Sequence, residues 1–169
     1  MKIMRLECNV ELYDTYSEFT EQEKALFAAA KASLKDAYAP YSNFQVGAAV
    51  LLENGEIYKG NNQENAAYPS GLCAERTAMF YAMAIRPTIP PKAIAVTVNY
   101  DLHPTFDDIV SPCGGCRQVL AEYEFRFKKP IVVYLLGKQE RVFLVRSMAQ
   151  LMPMLFSGDI LKAFKSPAD

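Results

Sequence analysis

The segment Val46-Gly47-Ala48-Ala49-Val50-Leu51-Leu52-Glu53-Asn54-Gly55-Glu56-Ile57-Tyr58-Lys59-Gly60 reads as a β-hairpin, and the rest of the architecture can be laid out around it. Val46 to Leu52 and Glu56 to Gly60 are predicted strands, joined across Asn54-Gly55, a strong two-residue hairpin signal. Upstream, Thr20 and Glu23 have the spacing of a capping box, and Leu26, Phe27, Ala30, Leu34 and Tyr38 follow at helical intervals up to Pro40. Downstream, Ala74, Thr77, Ala78, Tyr81, Ala82 and Ile85 keep helical spacing from Cys73 until Pro87, and Ala93 to Val98 reads as a short buried strand. Cys116, Val119, Leu120 and Tyr123 mark a helix beginning near Pro112 and closed by Pro130. Strands at Ile131 to Leu136 and Val142 to Val145 follow, then a short helix from Ser147. This order predicts an α/β fold with helices on both faces of a mixed sheet.

Composition narrows the class. The chain has 169 residues, 51% of them hydrophobic, with neither repeat nor low-complexity tract, as expected for one domain spanning residues 1–169. Lys plus Arg total 18 against 19 Asp plus Glu, a net charge of -1, so no basic excess draws in a phosphate backbone and polymeric nucleic acid is not an expected partner. Met1 to Val10 interrupts its apolar residues with Lys2, Arg5 and Glu7, unlike a signal peptide, and no stretch has membrane-spanning length. The expectation is a cytoplasmic protein without a membrane partner, whose four cysteines stay reduced and serve metal or redox chemistry.

Cys73 stands at the start of one predicted helix, and Cys113 and Cys116 at the start of the next, so three thiolates can meet where the two helices begin. Cys113 and Cys116 share one helical face, and the amide dipoles there favour the thiolates that bind metal. Three protein ligands leave zinc an open place for water, the mark of a catalytic rather than a structural site. Competing readings remain: Cys113-Gly114-Gly115-Cys116 also has the spacing of a redox pair, and Cys73 alone would suit a small core residue. His103, in an irregular Pro-containing stretch, reads as a loop residue, and Cys8 as a bystander.

Cys73-Ala74-Glu75-Arg76 followed by Pro112-Cys113-Gly114-Gly115-Cys116-Arg117-Gln118 resembles the signature of the small, homotetrameric, zinc-dependent cytidine deaminases of the three-cysteine branch. Tyr41-Ser42-Asn43-Phe44-Gln45-Val46-Gly47-Ala48-Ala49 resembles that family's first base-binding segment, Asn62-Gln63-Glu64-Asn65-Ala66-Ala67-Tyr68 its ribose-binding segment, and Leu151 to Phe156 its C-terminal segment. The likeness covers about residues 18–156. Two departures stand out: Asn99 to Val110 makes a longer connection than the family pattern leads one to expect, and Gly115 stands where Ala is usual.

The resemblance implies a three-layer α/β/α sandwich on a mixed five-stranded sheet, and hydrolysis of cytidine or 2'-deoxycytidine to the uracil nucleoside and ammonia. It makes Cys73, Cys113 and Cys116 the Zn2+ ligands, Glu75 the catalytic proton carrier, and Phe44, Asn62, Glu64, Tyr68, Ala74 and Phe156 the substrate-binding set. The partner would be a small nucleoside, and the unit a homotetramer with shared active sites, Phe156 entering a neighbour's pocket. Chemistry agrees: bound zinc makes water nucleophilic at neutral pH, and a carboxyl beside it can shuttle the protons. Three thiolates overcompensate one divalent cation, so Arg76, next to Glu75, is the candidate for drawing charge from sulfur, while a role for Arg117 stays open. A deaminase of another cytosine-bearing small molecule, such as the blasticidin-type antibiotics, and a zinc-stabilised interaction module are the alternatives.

Overall fold

A computed structural model describes residues 1–163. Its centre is a six-stranded sheet in the order β1-β6-β5-β4-β2-β3, made of β1 (Glu11–Tyr13), β2 (Val46–Leu52), β3 (Ile57–Asn61), β4 (Pro91–Val98), β5 (Val132–Leu136) and β6 (Val142–Val145). Only β4 and β5 run parallel; the other pairs are antiparallel, so the sheet is mixed. Among the described residues four α-helices accompany it: α1 (Glu21–Ser33), α2 (Ala74–Ile85), α3 (Gly114–Phe127) and α4 (Gly158–Ala163).

The strand β2 shows why this is a three-layer structure. Residues alternate between faces along a strand, and in β2 both sets are apolar. Ala48, Val50 and Leu52 pack with Ala78, Met79, Ala82 and Met83 of α2 and Leu120 and Ala121 of α3, whereas Ala49 and Leu51 pack with Leu26, Phe27 and Ala30 of α1. Helices on both faces, as expected from the order of elements, are therefore present, with α2 and α3 packed on one face and α1 on the other. The hairpin forms, but over three residues, Glu53 to Gly55, rather than the two read from Asn54-Gly55: Leu52 N donates to the Glu56 carbonyl and Gly55 N to the Leu52 carbonyl, both at 2.9 Å, with Gly55 at φ +88°, a conformation glycine adopts without penalty. The capping box of α1 also forms, the Glu23 carboxylate accepting from Thr20 N at 2.8 Å and the Thr20 hydroxyl from Glu23 N at 3.3 Å.

Two further expectations need correction. The sheet has six strands rather than five, because Glu11–Tyr13 adds itself antiparallel to the outer side of β6. Three residues carry no readable period; Glu11 pairs instead with Arg146 at 2.6 Å, and the Tyr13 ring lies 4.8 Å from that of Phe19. The helical spacing also ran too far, since α1 ends at Ser33 and Tyr38 is extended. The Tyr38 amide donates to the Asn62 carbonyl at 3.0 Å and its carbonyl accepts from Glu64 N at 2.9 Å, tertiary bonds that outweigh local periodicity. Among the described residues, no helix is long and apolar enough to cross a membrane.

Gly60 sets how close α2 comes to the sheet. A Cβ built there would stand 2.3 Å from Ala78 N and 2.7 Å from the Ala74 carbonyl oxygen, both backbone atoms of α2. Gly60→Ala should therefore push α2 off β3 and cost about 1–3 kcal/mol, the usual range for overpacking. Urea denaturation is the check; an unchanged midpoint would mean that the helix has room to move.

Candidate active site

The N-termini of α2 and α3 converge, and each is capped by a cysteine whose side chain makes no capping hydrogen bond: Cys73 for α2, Cys113 for α3. Their sulfurs are thus free for another partner. Cys116, in the first turn of α3, is fully buried and completes a group whose ligand atoms all lie within 4.8 Å of one another. The Sγ atoms of Cys73 and Cys113 are 3.7 Å apart, and those of Cys113 and Cys116 are 3.5 Å apart. Sulfurs at zinc-bonding distance on a tetrahedron stand roughly 3.8 Å apart, so the cluster already has the dimensions of a zinc site. Among the described residues the cluster has three such side chains, as an open site requires.

Its electrostatics also call for a cation. The Cys73 thiol is drawn down to about 5, first by the hydrogen bond from Cys116 and then, against the opposing effect of burial, by the Arg76 guanidinium. Cys116 is pushed strongly up, because it keeps the proton shared with Cys73 and is itself buried. Three neighbouring thiols cannot all ionise without a compensating charge, which zinc would supply. Arg76 Nη2 donates to Cys73 Sγ at 3.6 Å, as the charge argument requires. Glu75, 5% exposed, has its carboxyl pushed above the ordinary range, mainly by burial.

The cluster opens on a cavity of about 400 Å³ lined on one side by Cys73, Glu75, Arg76 and Cys113, and on the other by Phe44, Asn62, Glu64 and Tyr68. Its far wall is held by side-chain bonds to backbone. Asn62, buried, donates through Nδ2 to the Phe44 carbonyl at 2.8 Å and accepts at Oδ1 from Val46 N at 2.8 Å, so both ends of its amide position the Phe44 segment. The Glu64 carboxylate accepts from Tyr41 N at 2.9 Å, from Ser42 N at 3.3 Å and from the Ser42 hydroxyl, whose bond first of all lowers its pKa. Tyr68 is largely exposed and meets Tyr41 edge to face, with ring centroids 6.4 Å apart.

Two of the anticipated substrate residues lie elsewhere. The side chain of Ala74 is fully buried and does not line the cavity. Phe156, 54% exposed, is absent from the cavity wall of its own chain, and its carbonyl accepts from Gln118 Nε2 at 3.0 Å. His103 stands apart from the thiol cluster, as read from the sequence. Gly115 lies in the first turn of α3, and a Cβ there would meet nothing within 4 Å, so Gly for Ala at 115 leaves the ligands undisturbed.

Sequence reasoning had not assigned Ser42, Val110 and Ser111, which also line the cavity. Ser42 lay within a quoted motif, but only the fold reveals its bond to Glu64. Arg117, whose part was open, clasps three groups: its Nε donates to the Pro112 carbonyl at 2.7 Å, Nη1 to the Leu151 carbonyl at 2.8 Å and Nη2 to the Ser111 hydroxyl at 3.0 Å. It orients the loop that presents Cys113.

Residues 20–134 match the family model described as the cytidine and deoxycytidylate deaminase zinc-binding region. The chain is 41% identical over 138 residues to a cytidine deaminase of Sporosarcina psychrophila, covering 80% of this chain and 92% of the relative. It is 38% identical over 143 residues to a probable cytidine deaminase of Dictyostelium discoideum, covering 85% and 88%. The crystal structure of cytidine deaminase from Burkholderia pseudomallei superposes with a TM-score of 0.68 at 41% identity, covering 82% of this chain and all of that one.

One zinc per chain is the expected stoichiometry. Cys116→Ala should lose most of the metal, while Cys8→Ala, exposed and outside the cluster, should keep it. Elemental analysis of the purified proteins decides the matter; full zinc in Cys116→Ala would remove that thiol from the ligand set.

Proposed function

The chain belongs to the cytidine and deoxycytidylate deaminase zinc-binding family, and on that basis we propose that it hydrolyses cytidine or 2'-deoxycytidine to the uracil nucleoside and ammonia. The observation that supports this most is the sharing of one cavity by Cys73 and Cys113 of the thiol cluster, the buried Glu75 and the Phe44–Glu64 wall. Cys73, Cys113 and Cys116 would hold the zinc as thiolates, and the bound metal would lower the pKa of water enough to make it a nucleophile at neutral pH.

The side chains do the rest. Glu75 moves the protons: its carboxylate takes one from the attacking water and passes it to ring N3, then takes the second from the hydroxyl added at C4 and passes it to the 4-amino nitrogen, which leaves as ammonia as C4 becomes a carbonyl. Burial, by raising the pKa of this carboxyl, makes it a better proton holder than an exposed glutamate. Arg76 draws charge from the Cys73 sulfur through its hydrogen bond, limiting the electron donation of the ligand set. Phe44 offers an apolar face to the pyrimidine, and Glu64 offers carboxylate oxygens to the sugar hydroxyls, with Asn62 fixing the segment that carries Phe44. Glu75→Gln should retain zinc and nucleoside binding while losing about 10²–10⁴-fold in kcat. Steady-state kinetics with metal analysis is the check, and near-normal turnover would assign the proton shuttle elsewhere.

We further infer a homotetramer in which Phe156 enters a neighbouring subunit's cavity and covers the base opposite Phe44. The exposed Phe156 follows Met152, Pro153, Met154 and Leu155, an apolar run on a short segment. Mixing Phe156→Ala chains with Glu75→Gln chains should then restore activity, because some sites combine an intact Glu75 with an intact Phe156. Verified mixed oligomers that stay inactive, each variant being inactive alone, would reject the contribution in trans.

A further inference from the structure

The longer connection between β4 and α3 is tied to the cavity wall at its start and forms part of that wall at its end. At its start, Asn99 N donates to the Gln45 carbonyl at 3.0 Å and Asn99 Nδ2 to Gln45 Oε1 at 2.7 Å. At its end, Val110 and Ser111 line the cavity just before Cys113. Between them the loop is packed rather than loose. Tyr100 stacks on Phe106 with centroids 6.1 Å apart and planes at 14°, Lys138 Nζ donates to the Pro104 carbonyl at 2.6 Å, and Arg141 Nη2 pairs with Asp107 at 2.6 Å. The loop is therefore a stiff support on which His103 is carried, half-buried, against the Phe44 segment.

His103 Nε2 lies 3.2 Å from the carbonyl oxygen of Asn43, and its ring centroid is 6.4 Å from that of Phe44. The acceptor is a carbonyl, so Nε2 must be the donor. The Asn43 carbonyl and the Phe44 N–H belong to one planar peptide, and the N–H donates to Ser42 Oγ at 3.0 Å. Asn43 itself has φ +55°, in the left-handed region, where the chain turns sharply into Phe44. The next anchor, the Phe44 carbonyl, is taken by Asn62. Phe44 is thus flanked by two held peptides, and on the Asn43 carbonyl the hold comes from His103.

We infer that His103 is a positioning residue: by clamping the 43–44 peptide it fixes the Phe44 ring at the distance from the catalytic side that suits the pyrimidine, so the 99–110 loop governs nucleoside affinity. This rests on the reading of the cavity as a nucleoside site. Its chemistry lies outside the proton and metal steps, so the signature is a split between KM and kcat.

His103→Ala should raise KM for cytidine about five- to tenfold, the loss of one hydrogen bond and its ring contact, with kcat within about twofold of wild type. His103→Gln, whose Nε2 can donate to the same carbonyl, should return KM to within about twofold. In a Phe44→Ala background, His103→Ala should add nothing, because the ring it positions is gone. The inference falls if KM is unmoved, if kcat falls in step with KM unchanged, if Gln is as poor as Ala, or if the two substitutions are additive. A wild-type protein inactive on cytidine would instead bring down the reading of the site, whereas an active one indifferent to His103→Ala brings down this inference alone.

Discussion

Two helix N-termini must meet, each capped by a thiol, for this site to exist. Helix ends leave amide hydrogens without intrahelical partners, and a capping side chain normally satisfies one of them. Here Cys73 and Cys113 occupy the caps without making those bonds, and their sulfurs face each other across 3.7 Å. The meeting point is set by the sheet beneath. Gly60 lets α2 lie against β3 with no side chain between them, and the parallel pair β4 and β5 brings α3 over the same face. Burial of Glu75 follows from the same approach, since it rides the first turn of α2 one residue beyond the apolar Ala74.

The opposite wall of the cavity is built by another rule. Phe44 sits in a turn between α1 and β2 that has no regular backbone pairing of its own, so its carbonyl and amide groups are satisfied by side chains. Asn62 donates to its carbonyl and accepts from Val46 N just beyond it, Ser42 accepts its N–H, and Glu64 holds Ser42 in place. Polar groups that line the cavity are therefore also structural members of its wall. That dual use keeps reorganisation small when a ligand arrives, because the groups are already oriented.

Much of this was legible in the sequence, for identifiable reasons. The three cysteines and Glu75 occupy helix starts at fixed spacings, and such local patterns survive folding unchanged. Arg76 was legible through charge balance, and the two faces of the sheet through the apolar run of β2. What escaped depends on contacts distant along the chain. The strand Glu11–Tyr13 exists through β6, and Tyr38 leaves the helical pattern because Asn62 and Glu64 capture its backbone. The bond from His103 to Asn43 spans 60 residues, and no spacing rule reaches that far. The role of Arg117 stayed open in the sequence, since the Leu151 carbonyl joins its other acceptors only when the chain has folded.

That guanidinium has a structural consequence. It shares one rigid, planar donor set between Ser111 and Pro112, which precede the ligand Cys113, and Leu151, at the beginning of the segment that carries Phe156. A lysine, as a single flexible donor point, could not bridge both. Two regions joined through one such clasp are not independent: displacing Leu151 would free one arm of Arg117 and slacken its hold on Ser111 and Pro112, the residues that lead into Cys113. Damage to the C-terminal segment would reach the thiol cluster without touching it.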